Sequence, residues 1–475
     1  MSSYLENYAD FNLRNTFAPF AQDAELPLAD VLTAADAQRI VAEEKVSFGN
    51  TPGATWTPAL TLWAWLGQVL GDDKSCRQAV ANFVLTFALS LEPENLDTGA
   101  YCRARAKLSA RVLERLALHV GHGLEQAAPE SWLWKQKHRV LLADGSTSQL
   151  PDTEENQKAF PQATSQKKGL GYPLIRWVVL IGLATAAIQD FAYGPYAGKE
   201  TGETALLRQL LEAFAPGDIL LADRFYCSYF MAALLQSHGV HVVARLHQRR
   251  KYDFRRGEQL GEGDHIVTWL KPERPDWMSE ELYDMLPTEM RMREILRRVH
   301  KPGYRVTELV IATTLLDAQE YAADDIAELY AERWHVELDI RTLKATLGMG
   351  ELRCKTPFMV EKEIWTHILA YNLVRKVGAQ VAWEAKVSPR SVSFKAVKQA
   401  ILAGWQKAST IEVADYVRLA QAMLRILRTQ KVGHRPGRCE PRAVKKRPKP
   451  HKLLTEPRPI ARAKLLQEKA APSTQ

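Results

Sequence analysis

Apolar residues recur three and four positions apart in TPALTLWAWLGQVL, CRQAVANFVLTFAL and DTGAYCRARAKLSARVLERLALHV, so residues 1–135 are expected to be mainly helical. Asp97 or Thr98 is the expected N-cap of the last of these. The period changes near residue 136. HRVLLADG is a short apolar run ending in a turn, PLIRWVVLIGLATAAIQDFAY reads as two successive strands, and ETALLRQLLEAF as an amphipathic helix. DILLADRFY follows as a buried strand, SYFMAALLQSHG as a helix closed by glycine, and HVVARL as a further strand. Elements in this alternation predict an α/β layer with a mixed sheet over 136–375. Between about 245 and 305 the pattern gives way to polar stretches such as WLKPERPDWM, before ELVIATTLL restores a strand, so an insertion inside the α/β domain is expected. Residues 376–430 are helical again, and no internal repeat is visible.

The helix that follows the restored strand, YAERWHVELDIRTLKATLG, is unusual in its polar positions. On an ideal wheel with Tyr330 at zero, Arg333, Glu337 and Lys344 fall at about −60°, −20° and −40°, while Glu332 and Asp339 fall near 200° and 180°. Glu337 is therefore the one carboxylate grouped with a phenol, a guanidinium and an ammonium. An exposed i,i+4 Arg–Glu pair explains that grouping, and so does a face reserved for chemistry.

With 475 residues, 46% hydrophobic and 25% charged, the chain is an ordinary globular protein long enough for two or three domains. The start, MSSYLENYADFNLRN, has neither the basic residues nor the apolar run of a secretory signal, and the most apolar stretch, 174–187, is short and interrupted by Arg176. A cytoplasmic protein without membrane contact is expected. The five cysteines are scattered and lack C-x-x-C spacing, which suggests neither a disulfide framework nor a zinc site. The net charge of +8 is local: from Lys431 onward there are thirteen Lys or Arg against three Glu, a surplus that leaves the preceding chain slightly acidic. Proline and low apolar content make 431–475 an expected disordered basic tail, suited either to holding phosphates or merely to solubility. Within the N-terminal region, Arg103, Arg105 and Lys107 are candidate DNA contacts, with a solvated basic face as the alternative.

LLADGS and ILLADRFY place Asp144 and Asp223 at the ends of two apolar strands. Each has a local explanation, a turn or an ion pair with the next residue. Together with Glu337 on a helix packed across the sheet, they would make an oxygen-rich pocket suited to Mg²⁺. Two such ions can activate a hydroxyl on one side of a phosphorus and stabilise the leaving oxygen on the other. Arg333 and Lys344 would then have phosphodiester oxygens to hold.

The spacing Tyr330-x-x-Arg333-x-x-x-Glu337-x-x-x-x-x-x-Lys344 resembles the Y-R-E-K signature of the insertion sequence 4 family of bacterial DDE transposases, as do Ala143–Gly145, Ala222–Tyr226 and Thr98–Leu108. The resemblance covers about residues 60–375. It implies a ribonuclease-H-like catalytic domain with a mostly β insertion, flanked by helical N- and C-terminal regions, the latter a possible dimerisation region. It also implies a metal triad of Asp144, Asp223 and Glu337 holding two Mg²⁺ ions, for which Mn²⁺ would substitute, and contacts from Tyr330, Arg333 and Lys344 to the transposon end. The implied activity is cut-and-paste movement: cleavage at terminal inverted repeats, then transfer of the 3′-hydroxyl into target DNA by a homodimer in the bacterial nucleoid. In relatives that pass through a hairpin, an insertion-domain tryptophan holds a flipped base, which makes Trp269 and Trp277 candidates beside their ordinary role in a core. No G-x-x-x-x-G-K-[ST], H-E-x-x-H or G-x-S-x-G occurs, so no nucleotide cofactor is expected. A nuclease without strand transfer and a DNA-binding repressor without catalysis remain as rivals.

Overall fold

The computed structural model describes residues 11–21, 26–50, 54–87, 97–298, 308–408, 413–433 and 455–470. Among the described residues, six α-helices open the chain: α1 (Leu13–Phe17), α2 (Ala34–Glu43), α3 (Pro58–Leu70), α4 (Cys76–Thr86), α5 (Thr98–Lys107) and α6 (Ala110–Gln126). The periodicity suggested one helix through α5 and α6, but the chain breaks at Leu108–Ser109, where the Ser109 hydroxyl accepts the Arg111 N–H and caps a new helix. The turn expected between α4 and α5 lies largely outside the described residues.

A sheet of nine strands follows: β1 (Val140–Gln149), β2 (Leu174–Gly182), β3 (Ile188–Pro195), β4 (Ile219–Ala222), β5 (His241–Arg245), β6 (Glu258–Gly261), β7 (Asp264–Leu270), β8 (Glu289–Arg298) and β9 (Glu308–Thr313). Their order in space is β3-β2-β1-β4-β5-β9-β8-β7-β6. β1, β2 and β3 form an antiparallel meander, and β4 and β5 lie parallel to β1. This 3-2-1-4-5 order with β2 reversed is the ribonuclease-H-like arrangement. The segment between β5 and β9 is mostly β: β6–β8 continue the sheet antiparallel beyond β9, with only the short α10 (Glu280–Met285) between them.

Alternation along β1 assigns its two faces. Val140 and Leu142 pack into a core shared with α3, α5, α6 and the long α13 (Pro357–Ala385), whereas Leu141 and Ala143 pack into a second core. That second core is closed by α8 (Glu203–Arg208), α9 (Tyr229–Ser237) and insertion residues including Trp269, Met278 and Met292. ETALLRQLLEAF is shorter as a helix than its pattern suggests: α8 ends at Arg208 and only a 3₁₀ turn, Leu211–Ala213, follows. The first core runs continuously from Phe11 to Leu427, so N-terminal helices, sheet face and C-terminal helices are built on one another. Asn372 of α13 stitches them: its amide donates to Ala117 and Ile188 carbonyls at 2.8 and 2.9 Å and its oxygen accepts the Ile188 N–H at 2.8 Å.

The remaining α-helices among the described residues are α7 (Glu154–Ala159), α11 (Ala323–Ala331), α12 (Trp334–Arg341), α14 (Phe394–Ala408), α15 (Val413–Leu427) and α16 (Arg458–Ala470). The last departs from the expected disordered tail. Arg458 anchors its start by pairing with Asp152 at 3.0 Å and stacking on Tyr172 at 3.8 Å. Residues 434–454 lie outside the described set. Among the described residues no helix is long and apolar enough to cross a membrane.

Candidate active site

Asp144 sits in the middle of β1, because the strand runs on through the polar residues GSTSQ to Gln149 instead of turning at Gly145. The Ser148 hydroxyl is buried there by accepting the Trp177 indole N–H at 2.9 Å, which removes the cost of carrying that polar residue through the sheet. β4 ends at Ala222, paired in register with Ala143, so Asp223 emerges beside Asp144. By alternation both project on the face carrying Val140, Leu142, Ile219 and Leu221, the face against which Val336 and Ile340 of α12 pack.

The electrostatics match that placement. Burial, above all, pushes the Asp144 carboxyl up to about 6; the Gly145 amide at 2.8 Å and the Arg333 charge oppose the rise, and Glu203 and Asp223 add to it. Arg333 pairs with Glu337 at 2.7 Å and also feels Asp144 and Tyr330. Burial holds the Tyr330 phenol up at about 12, so it remains a hydrogen-bond donor at neutral pH. Lys344 donates to the Ser146 hydroxyl at 3.0 Å, two residues beyond Asp144 on the same face of β1. Glu332 and Asp339 point elsewhere, as the wheel predicts: Glu332 meets His335 at 2.8 Å, and Asp339 is buried between Arg375 and Arg390.

The signature segment is not one regular helix. Backbone N–H groups of Arg333, His335 and Val336 reach back three residues, tightening the chain between α11 and α12, and Thr342–Thr346 then open into a π-helical turn containing Lys344. The local windings set where Lys344 meets β1, so the ideal wheel gives only the grouping.

The three acids are not equally assembled. Among the described residues no three His, Cys, Asp or Glu side chains stand close enough to share an ion, and Glu337 is drawn to Arg333. The donor set nevertheless fits a hard divalent cation: carboxylate oxygens alone, two of them on neighbouring strands, with Asp223 adding to the proton affinity of Asp144. Glu203 is an acid the sequence reading missed. It comes from α8 on the opposite face, where a Cβ on Gly145 would stand 2.4 Å from its Cδ, and burial raises its pKa with Asp223 contributing. No local motif announces it, because it reaches the site only through the fold.

Of the N-terminal candidates, Arg103 and Lys107 are exposed, while Arg105 is 8% exposed and lies between Trp65 and Tyr101, 4.9 and 5.0 Å from their rings. Trp269 is 3% exposed and donates to Glu294. Trp277 is half-buried under Arg208 and lines a cavity of about 470 Å³ with Arg176 and Tyr196.

Residues 135–373, half of the chain and the whole of the sheet with its signature helix, match the family model described as Transposase DDE domain. The chain belongs to the DDE transposase family. Within that family it falls with the insertion sequence 4 type. It is 27% identical over 396 residues to transposase InsG for insertion sequence element IS4 of Escherichia coli K12, covering 82% of this chain and 85% of that protein. A shorter match, 35% over 65 residues, joins 14% of this chain to 18% of the transposase for insertion sequence element IS421 of Escherichia coli. Among solved structures, the piggyBac transposase synaptic complex with hairpin DNA aligns over 90% of this chain and 87% of its own at 11% identity, with a TM-score of 0.40, too distant to add to the argument. This DDE transposase is a DNA-transposing enzyme whose family chemistry is phosphodiester cleavage and transesterification, generally with a divalent metal.

Proposed function

We propose that Asp144, Asp223 and Glu337 are the metal-holding carboxylates of a cut-and-paste reaction with Mg²⁺, and that Tyr330, Arg333 and Lys344 hold the transposon end. The observation that carries this reading is the registered pair of strands that sets Asp223 beside Asp144 on the face where α12 packs. Bound divalent cations supply activation of a hydroxyl and neutralisation of charge at the phosphorus. Arg333 and Lys344 bind the phosphate oxygens by charge-assisted hydrogen bonds, and the protonated Tyr330 donates a third. When a phosphate oxygen takes the Arg333 guanidinium, Glu337 is released from its ion pair to join the two aspartates. DNA binding and completion of the triad are then one event. Water attacks the phosphodiester at the element end and frees a 3′-hydroxyl, which in turn attacks the opposite strand or target DNA. We extend the reading to a homodimer joining two ends in the cytoplasm, with Arg103 and Lys107 on the DNA. Trp277, open to a cavity, is a better base-holding candidate than the enclosed Trp269.

A joining assay with precleaved ends tests the reading. Strand-transfer products are expected from the native chain and not from Asp223→Asn. Cut products alone from the native chain would leave a nuclease.

A further inference from the structure

α3, α4, α5 and the start of α13 enclose a cavity of about 500 Å³ beyond the catalytic face. It adjoins the end of the signature segment: Gly348, four residues past Lys344, lies under the Lys74 stem, whose Cε would stand 2.5 Å from a glycine Cβ. Arg105 lines this cavity, is 8% exposed, and has no carboxylate partner among the described residues. Its guanidinium donates only to neutral groups, the Gln68 oxygen at 3.4 Å and the Cys76 and Cys102 sulfurs at 3.3 and 3.9 Å, and its buried Nε–H has no partner. The Trp65 and Tyr101 rings, 4.9 and 5.0 Å away, offset part of the cost of burying that cation, and an anion in the cavity would offset more.

The rest of the lining deepens the imbalance. Lys74, whose ammonium donates to the Val69 and Gly71 carbonyls, Arg353 and Lys355 also border the cavity, and no carboxylate forms an ion pair with any of them among the described residues. Glu363 is the lining acid, and both its oxygens are occupied by the Arg353 and Cys354 backbone N–H groups at 2.8–3.0 Å. Burial, with Lys398 and Arg353 adding repulsion and Asp72 and Glu363 opposing, brings Lys74 down to about 8. Arg353 and Lys355 are exposed at the rim, while Arg105 is at the wall, so cations extend from solvent inward.

We propose that this cavity is a phosphate-binding site, taking either a backbone phosphodiester of the transposed DNA or a free phosphate anion. The planar guanidinium and flexible ammonium groups suit a tetrahedral oxyanion with several acceptor oxygens. The DNA arm rests on the chain's action on DNA and not on the assignment of the triad.

Cys76 and Cys102 line the same cavity and are half-buried, so they report on its occupancy. The full chain is labelled with N-ethylmaleimide in inorganic phosphate, in a random-sequence duplex, or in chloride of equal ionic strength, and each cysteine is read by mass spectrometry. Phosphate at ten times its dissociation constant is expected to slow labelling of Cys76 and Cys102 about tenfold. Protection by duplex alone assigns the backbone source, and by phosphate alone the free anion. Arg353→Glu with Lys355→Glu, both at exposed positions, is expected to abolish protection, and Arg105→Gln likewise. The same labelling rate in all three solutions, or protection unchanged in the rim variant, overturns the site. A gel shift on the same samples and cleavage by Asp144→Asn report on DNA binding and the triad separately.

Discussion

Asp144 shows what a buried carboxylate costs a fold. Its carboxyl stands near 6 instead of 3.8 because burial and two neighbouring acids disfavour its charge, so the native state holds a proton that the unfolded chain has already lost. The stability this contributes is present below about pH 4 and is lost as pH rises through 6. Asp144→Asn keeps an acceptor for the Gly145 amide and removes the charge. In chelator, denaturant titration should show it more stable than the native chain by about 1–3 kcal/mol at pH 8, and equal to it at pH 4. Equal stability at both would mean that Asp144 is not desolvated as described. At this scale much was legible in the residues. The grouping of Glu337 with Arg333, and the exclusion of Glu332 and Asp339, followed from spacing alone and hold in space. Arg105 could have been separated from Arg103 and Lys107 the same way, since a residue two positions on lies about 200° round the helix. Glu203 could not, because nothing local ties α8 to Gly145.

Among the elements, the signature segment is the one whose form departs most from its pattern. A regular helix was a fair expectation for 330–348, but the tightening after Tyr330 and the π-turn at Thr342–Thr346 depend on packing against β1 and α13, which spacing does not reveal. The π-turn carries one residue more than an α-helical turn needs. Deleting Ala345 should regularise the helix and draw Lys344 off Ser146, leaving circular dichroism nearly unchanged while DNA-end cleavage falls on the order of tenfold, the worth of one charge-assisted hydrogen bond. Undiminished cleavage would make the turn incidental. Strand ends were misjudged for a related reason: Gly145 looked like a turn, but nine residues of β1 find partners in β2 and hold the strand extended past it. Propensity yielded to pairing.

At the scale of the whole molecule, the helical flanks and the sheet share one core. α6 touches β3 so closely that a Cβ on Gly121 would lie 2.1 Å from the Ile188 carbonyl oxygen and 2.9 Å from the Asn372 amide nitrogen. Gly121→Ala is therefore expected to cost about 1–3 kcal/mol through overpacking, read as a lower denaturation midpoint, and to loosen sheet and helices together. Two separate transitions in the native chain would contradict the shared core. The sequence pointed to helical flanks around an α/β layer, yet the continuity of that core is a property of long-range contacts such as Asn372 with Ile188. The proposed chemistry requires the three acids to meet. The most direct measurement is Mg²⁺-dependent nicking of element-end DNA by Asp144→Asn, Asp223→Asn and Glu337→Gln, with binding followed on the same samples. Each variant should bind the DNA and leave it uncut; nicking at the native rate by any of the three would remove that acid from the reaction.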